Sequence, residues 1–230
     1  MIGIIGAMKP EVEYLSHLIV DMTTETVSGV EYRSGKIGKT DVVIAQCGVG
    51  KVFAAVCAQT MILRYHPDVI INTGVAGTLT KKLGICDICI AKQVFQHDMD
   101  TSPVGDPVGM LSGINMIYLP CDSGTVETLL AIAGKAKIKA AVGTVASGDQ
   151  FVATDDVRLR IMGTFEADAC EMEGGAIGQV CYINKTPFAV IRAISDSADG
   201  ESSMDYPTFL GIAAMTSATL VEEYIKHSEK

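Results

Sequence analysis

Apolar and polar positions along this chain fall into short blocks whose period changes. "IGIIGAM" (2–8) is almost continuously apolar and predicts a buried strand ending in a turn. Apolar residues then recur at helical spacing, Val12, Leu15, Leu18 and Ile19, with Pro10 near the first helical position. Residues 30–48 read as a hairpin-like pair around Gly35–Lys39. "VGKVFAAVCAQTMILRY" predicts a helix, and "DVIINTG" a short β-branched strand running into the Gly-rich "TGVAGTL". "ICDICIAKQVFQHDMD" predicts a further strand, "GINMIYLP" an edge strand, and 124–135 a helix. "IKAAVGTVASGDQF" predicts a strand, followed by a short helix at 155–163, an "ACEME" strand and a helix over 174–184. "PFAVIRAISDSAD" predicts a buried strand with an acidic end, and the last helix is expected to start near Tyr206–Pro207. Strands and helices alternate, which argues for an α/β sandwich with a largely parallel or mixed sheet.

The length of 230 residues fits one large domain, 1–230. Hydrophobic residues make up 48% and charged ones 20%, enough for a sizeable core. The net charge of -9 argues against nucleic-acid binding, which needs a basic face. No apolar run is long enough to span a membrane, and the N-terminus lacks the basic start of a signal peptide. The seven cysteines are odd in number and lie in apolar runs, so reduced core thiols in a cytoplasmic protein are expected. Cys86 and Cys89 form one CxxC without a second pair, which reads as packing. No metal site and no cofactor are expected, since no His/Cys/carboxylate set has ligand spacing.

In such folds the ligand lies beyond the carboxyl ends of the strands, so the residues just after each apolar run are the informative ones. They are glycines, acids and one aromatic: Met8 to Glu11, Gly48 to Lys51, "NTGVAG", "HDMD", "SGDQF", "EME", and Arg192 with Ser195 and Asp196. Cations are sparse there, and neither a P-loop nor a Rossmann fingerprint is present. Carboxylates accept hydrogen bonds from vicinal hydroxyls. They also stabilise oxocarbenium charge, protonate a leaving group and activate water, the tasks of glycosidic-bond cleavage. A small-molecule ligand with a sugar and a flat base suits this set.

"IGIIGAM…E", "GVGK", "INTGVAG", "SGDQF", "EMEGGA" and "RAISDSAD" occur in that order over nearly the whole chain. In this the sequence resembles the 5′-methylthioadenosine/S-adenosylhomocysteine nucleosidases of the purine nucleoside phosphorylase-like superfamily. The resemblance implies a three-layer α/β/α sandwich with a central mixed, twisted sheet, and hydrolysis to adenine and a thioribose. It implies that Asp196, kept protonated by burial and oriented by Ser195, protonates adenine N7. Glu11 would activate water, and Glu173 would bind the ribose hydroxyls with Met172 packed on the sugar. Glycines 174 and 175 would let the backbone approach the ligand. Phe151 would stack on adenine while the backbone of Val152 reads its edge. Met8, Val49 and Tyr206 would line the 5′-alkylthio pocket, with Gly77, Glu171 and Arg192 in supporting places. A homodimer is also implied.

Two departures stand out. Val75 fills a place where related nucleosidases often have Ser, and the anion site of the phosphorylases is missing around Asn72, Val75 and Glu11. That favours hydrolysis over a purine nucleoside phosphorylase reaction. Residues 96–110 lack aromatics, so any closure over a neighbour's pocket must differ in detail. Other 5′-modified adenosines, 5′-deoxyadenosine or aminodeoxyfutalosine, also fit. A binding-only protein would need to have lost one of Glu11, Glu173 or Asp196, and all three are present.

Overall fold

The computed structural model describes residues 1–197 and 202–229. In chain order the elements are β1 (Ile2–Gly6), α1 (Lys9–His17), β2 (Val20–Val27), β3 (Val30–Ile37), β4 (Thr40–Gln46), α2 (Lys51–Tyr65), β5 (Val69–Thr78) and β6 (Ile88–Gln96). There follow β7 (Leu119–Pro120), α3 (Ser123–Lys135), β8 (Ala140–Ser147), α4 (Asp155–Thr164), β9 (Ala169–Glu171), α5 (Gly174–Asn184), β10 (Phe188–Ser197) and α6 (Ser202–His227).

All ten strands form one mixed sheet. β1 lies parallel between β4 and β5, and β10 runs parallel to β5 on the latter's other side. β10 is antiparallel to β6, β6 and β9 are each parallel to β8, and β9 returns antiparallel to β5. Five strands therefore close on themselves, and β1, β4, β3 and β2 extend from that ring as an open wing. Helices α1, α3 and α6 pack on one face, α2 and α5 on the other. This is the three-layer sandwich with a mixed sheet.

The continuous apolar runs are buried because both faces of the sheet are covered. Every residue of β1 is buried, and Ile4 and Ile5 are fully enclosed. Each such side chain stabilises the fold by about 1.5–3 kcal/mol relative to exposure. A second, smaller cluster of Leu79, Phe95, Val152, Ile161 and Phe165 sits under α4. It anchors the loop after β8.

Several elements differ from the sequence-based expectation. β2 had no expected counterpart, because most of it is exposed and it carries no clean alternation. The hairpin turns at Gly38–Lys39, and Gly35 lies inside β3, where an added Cβ would meet the Val20 carbonyl at 2.6 Å. Leu18 and Ile19 lie past the end of α1. "GINMIYLP" joins the sheet only at Leu119–Pro120, because Gly113 and Asn115 take positive φ and turn the chain back through a Leu111–Met116 bridge. α6 starts at Ser202, so Pro207 sits inside it. Burial of Ala213, Ala214, Leu220, Val221 and Ile225 outweighs the one hydrogen bond a proline removes. The end of "RAISDSAD" beyond residue 197 lies outside the described residues.

Candidate active site

One cleft opens where the chain leaves β1, β4, β8 and β9, and along the ends of β5 and β10. Met8, Glu11, Val49, Gly77, Phe151, Val152, Glu171, Met172, Glu173, Ser195, Asp196 and Tyr206 all line it. Of the residues expected at the site, Arg192, Gly174 and Gly175 do not reach the cleft; Arg192 lies fully buried behind Glu171. Ala7, Ala76, Gln150 and Cys170 also line the cleft and were not anticipated as site residues. Gln150 and Ala76 lie in "SGDQF" and "NTGVAG", at the ends of apolar runs, but carry no chemistry that singles them out.

Glu11 occupies the third position of α1, where its carboxylate caps its own helix. Its Oε2 accepts from the backbone N–H of Ala7 at 2.7 Å and of Met8 at 2.8 Å, and its Oε1 from Val75 N–H at 3.1 Å. Burial pushes its carboxyl above the ordinary range, against the opposing pull of Arg192 and these N–H groups. Gly74 has no room for a side chain, since a Cβ there would stand 2.6 Å from Glu11 Oε1. The residue at position 75 thus contributes its backbone N–H to the acid, whatever its side chain.

Behind the cleft one guanidinium faces three carboxylates. Arg192 Nε donates to Glu171 Oε2 at 3.2 Å, and a second nitrogen forms an ion pair with the same oxygen. Arg192 also donates to Asn72 Oδ1 at 2.5 Å, and Asn72 Nδ2 donates to the Ile5 carbonyl at 2.9 Å. Ser147 donates to Glu171 Oε1 and accepts from Gly175 N–H at 2.6 Å. Glu171 Oε2 further accepts from the N–H groups of Glu173 and Gly174, at 3.0 and 2.7 Å. Burial would raise the Glu171 carboxyl, but Arg192 and Ser147 outweigh it and hold it low. Glu173 has no such claim on the arginine, whose nitrogen stays 4.0 Å away. Burial, then the charge on Glu171, pushes Glu173 up to about 7, opposed by Arg192 and by Gly50 N–H at 2.8 Å. The site holds an ionised acid, Glu171, beside two that retain protons more readily, Glu11 and Glu173.

Ser195 and Asp196 would point to opposite faces of a regular strand. A bulge between Ile194 and Asp196 brings both to the cleft. Ser195 Oγ donates to Asp196 Oδ1 at 2.6 Å, and both residues are buried. Phe151 meets Tyr206 edge-on at a centroid distance of 5.4 Å, and Tyr206 Oη donates to Met8 Sδ at 3.2 Å. Phe151 and Val49 are each about half exposed at the mouth. Glycines 174 and 175 do not line the cleft, contrary to expectation. They open α5 against Glu171, Ser147 and the β6 backbone, where a Cβ on Gly175 would approach the Phe95 carbonyl to 3.0 Å. No Lys, Arg or His among the described residues lines the cleft.

A fold of this topology with a carboxylate-rich cleft places the chain in the phosphorylase superfamily, whose family model matches residues 1–226. The 5′-methylthioadenosine/S-adenosylhomocysteine nucleosidase of Shewanella loihica is 37% identical over 227 residues, covering 98% of this chain and 99% of its own. The same-named enzyme of Neisseria meningitidis, solved with methylthio-immucillin-A, superposes with a TM-score of 0.95 at 33% identity, covering 98% of each chain. A futalosine hydrolase of Helicobacter pylori superposes with a TM-score of 0.94 at 32% identity, covering 98% of this chain and 97% of its own. The chain belongs to the phosphorylase superfamily and, within it, to the 5′-methylthioadenosine/S-adenosylhomocysteine nucleosidases, and is an N-glycosyl hydrolase.

Proposed function

We propose that the protein hydrolyses the N-glycosidic bond of 5′-methylthioadenosine and S-adenosylhomocysteine, releasing adenine and the corresponding thioribose. The names of its relatives support the substrates. The observation that carries the mechanism is the gathering of Glu11, Glu173 and Asp196 around one cleft with no lining cation among the described residues.

Asp196, hydrogen-bonded by Ser195, acts as general acid toward adenine N7. Cleavage then leaves a neutral base and an oxocarbenium-like sugar. Glu173, in its ionised form, accepts from the ribose hydroxyls and faces the developing charge. Glu11 takes a proton from the attacking water; its raised affinity for protons suits a base working near neutrality. Phe151 stacks on the purine, Val152 meets the base edge, and Met172 packs on the sugar. Met8, Val49 and Tyr206 surround the 5′-thioether, whose apolar character fits them. Arg192, through Glu171, sets the charge of the acid cluster. A phosphate co-substrate would meet four carboxylates and no lining cation among the described residues, which disfavours phosphorolysis.

The protein acts as a homodimer in this reading. An apolar face on α2, with Val52, Phe53, Val56 and Leu63 exposed, continues to Tyr182 and Ile183 of α5 and adjoins the cleft mouth at Val49. Residues 1–230 act as one domain, supported by a main core cluster that runs from Ile2 to Ile225. The likeness to futalosine hydrolase favours a second substrate reading, aminodeoxyfutalosine, which presents the same scissile bond with a different 5′ group.

The test is product analysis with 5′-methylthioadenosine. Adenine and free methylthioribose in phosphate-free buffer are expected. A sugar 1-phosphate formed only when phosphate is added would overturn the hydrolytic reading.

A further inference from the structure

Three segments far apart in sequence meet beside the cleft: the start of α2, the end of β6 and the loop after β8, through Lys51, Asp98 and Asp149, none of which lines it. Asp149 Oδ1 accepts the backbone N–H of Lys51 at 2.7 Å, satisfying a helix-start donor from outside the helix. Asp149's own N–H donates to Asp98 Oδ2 at 2.9 Å. Asp98 Oδ1 accepts from Lys51 Nζ at 2.7 Å, and the same ammonium donates to Gln96 Oε1 at 3.1 Å. The bonds close a ring: Lys51 backbone, Asp149, Asp98, Lys51 ammonium. The Lys51 and Asp98 side chains are only 19% and 27% exposed, so this is not an ordinary surface pair. Beneath it the buried His97 ring packs on Gly148, where a Cβ would collide with the imidazole.

The ring's position gives it a task. Gly50 precedes Lys51, has φ +100, and directs its N–H at Glu173 Oε1. A side chain at 50 would be strained by that φ and would crowd Asp149 Oδ1 at 3.0 Å. Asp149 also leads directly into Gln150, Phe151 and Val152 of the cleft wall. We propose that Lys51, Asp98 and Asp149 form a positioning clamp that sets the Gly50 N–H against Glu173 and fixes the sugar-facing acid relative to the base-facing wall. None of the three lines the cleft; they are positioning residues. The clamp rests on the nucleosidase reading only for what Glu173 binds.

The experiment titrates the Glu173 side-chain carboxyl carbon by NMR in the full-length, ligand-free protein, assigned with Glu173→Gln. Wild type is compared with Lys51→Met and Asp98→Asn. Gly50 N–H favours the ionised acid, so loosening it moves the Glu173 midpoint up by about half a pH unit or more. The KM for 5′-methylthioadenosine rises about tenfold while kcat changes less, as expected when a binding group is misplaced rather than a chemical one removed. Lys51→Arg restores both. Midpoints and KM equal to wild type in both variants, whatever their melting temperatures, would overturn the clamp. Asp98→Asn keeps the shape of the site and carries the test should Lys51→Met not fold. Absence of any nucleoside cleavage by wild type would refute the nucleosidase reading and leave the carboxyl titration to decide the clamp.

Discussion

Replacing Glu11 by Gln separates its closing of α1 from the water activation proposed for it. The carboxylate accepts three backbone N–H groups, two on Oε2 and one on Oε1. A glutamine has one acceptor oxygen. Facing Ala7 and Met8, it keeps two of the three bonds and turns its amide NH2 toward Val75 N–H. That leaves the Val75 N–H unsatisfied and sets a second donor against it, at a cost of about 1–3 kcal/mol. Removing a buried charge that burial already disfavours offsets part of this. The net loss is about 1–2 kcal/mol, or a drop in Tm of about 2–8 °C for a chain of this size. A neutral amide cannot take a proton from water, so kcat falls by about 10²–10⁴-fold. KM stays within about threefold, because the nucleoside's own contacts are kept. Differential scanning fluorimetry reads the first quantity, and adenine release with 5′-methylthioadenosine the others. A folded variant with kcat within about threefold of wild type would refute the assignment of Glu11.

Other outcomes follow from the same geometry. Asp196→Asn is expected to lower kcat by about 10²-fold or more while still binding nucleoside, measured by turnover and calorimetric titration; unchanged turnover would remove Asp196 as the acid. Glu173 has a folded value of about 7 against an ordinary 4.5, so the native state holds its proton while the unfolded chain has lost it. Stability from this group therefore falls as pH rises from about 4.5 to about 7 and is level above that. The neutral His97, held below its ordinary value by burial, works the other way, losing stability as pH falls below about 6.5. Urea unfolding across this range should thus show a smaller fall with rising pH in Glu173→Gln than in wild type, and equal slopes would contradict the raised value. Gly74→Ala places a Cβ against Glu11 Oε1, and overpacking of this kind costs about 1–3 kcal/mol; a variant with native Tm and kcat would show that the carboxylate can yield.

Much of this site was legible in the sequence because it lies where long apolar runs end. "IGIIGAM" is a buried strand whose polar continuation has to emerge at a sheet end, and Glu11 follows it. "ACEME" and "RAISDS" work the same way, so the order of residues alone puts Glu173 and Asp196 at strand ends. What escaped depends on long-range geometry. β2 is stabilised by pairing with β3 and has no buried face of its own to mark it. Closure of the five-strand ring hinges on β9, three residues long, returning to Gly77 and Thr78. The bulge that turns Ser195 and Asp196 to the same side leaves no periodic trace. Glycines 174 and 175 are needed by α5 packing, and a Gly-Gly pair reads identically whether it faces a ligand or a neighbouring strand. Lys51, Asp98 and Asp149 are 47 to 98 residues apart along the chain, and only the fold joins them.

The most direct measurement is the reaction in ¹⁸O-labelled water. 5′-Methylthioadenosine is incubated with the protein in phosphate-free buffer, and both products are weighed by mass spectrometry. One label in the methylthioribose and none in adenine is the predicted result, since water attacks the sugar carbon in the cleft. Unlabelled sugar, or no cleavage until phosphate is supplied, would contradict hydrolysis by a water activated at Glu11.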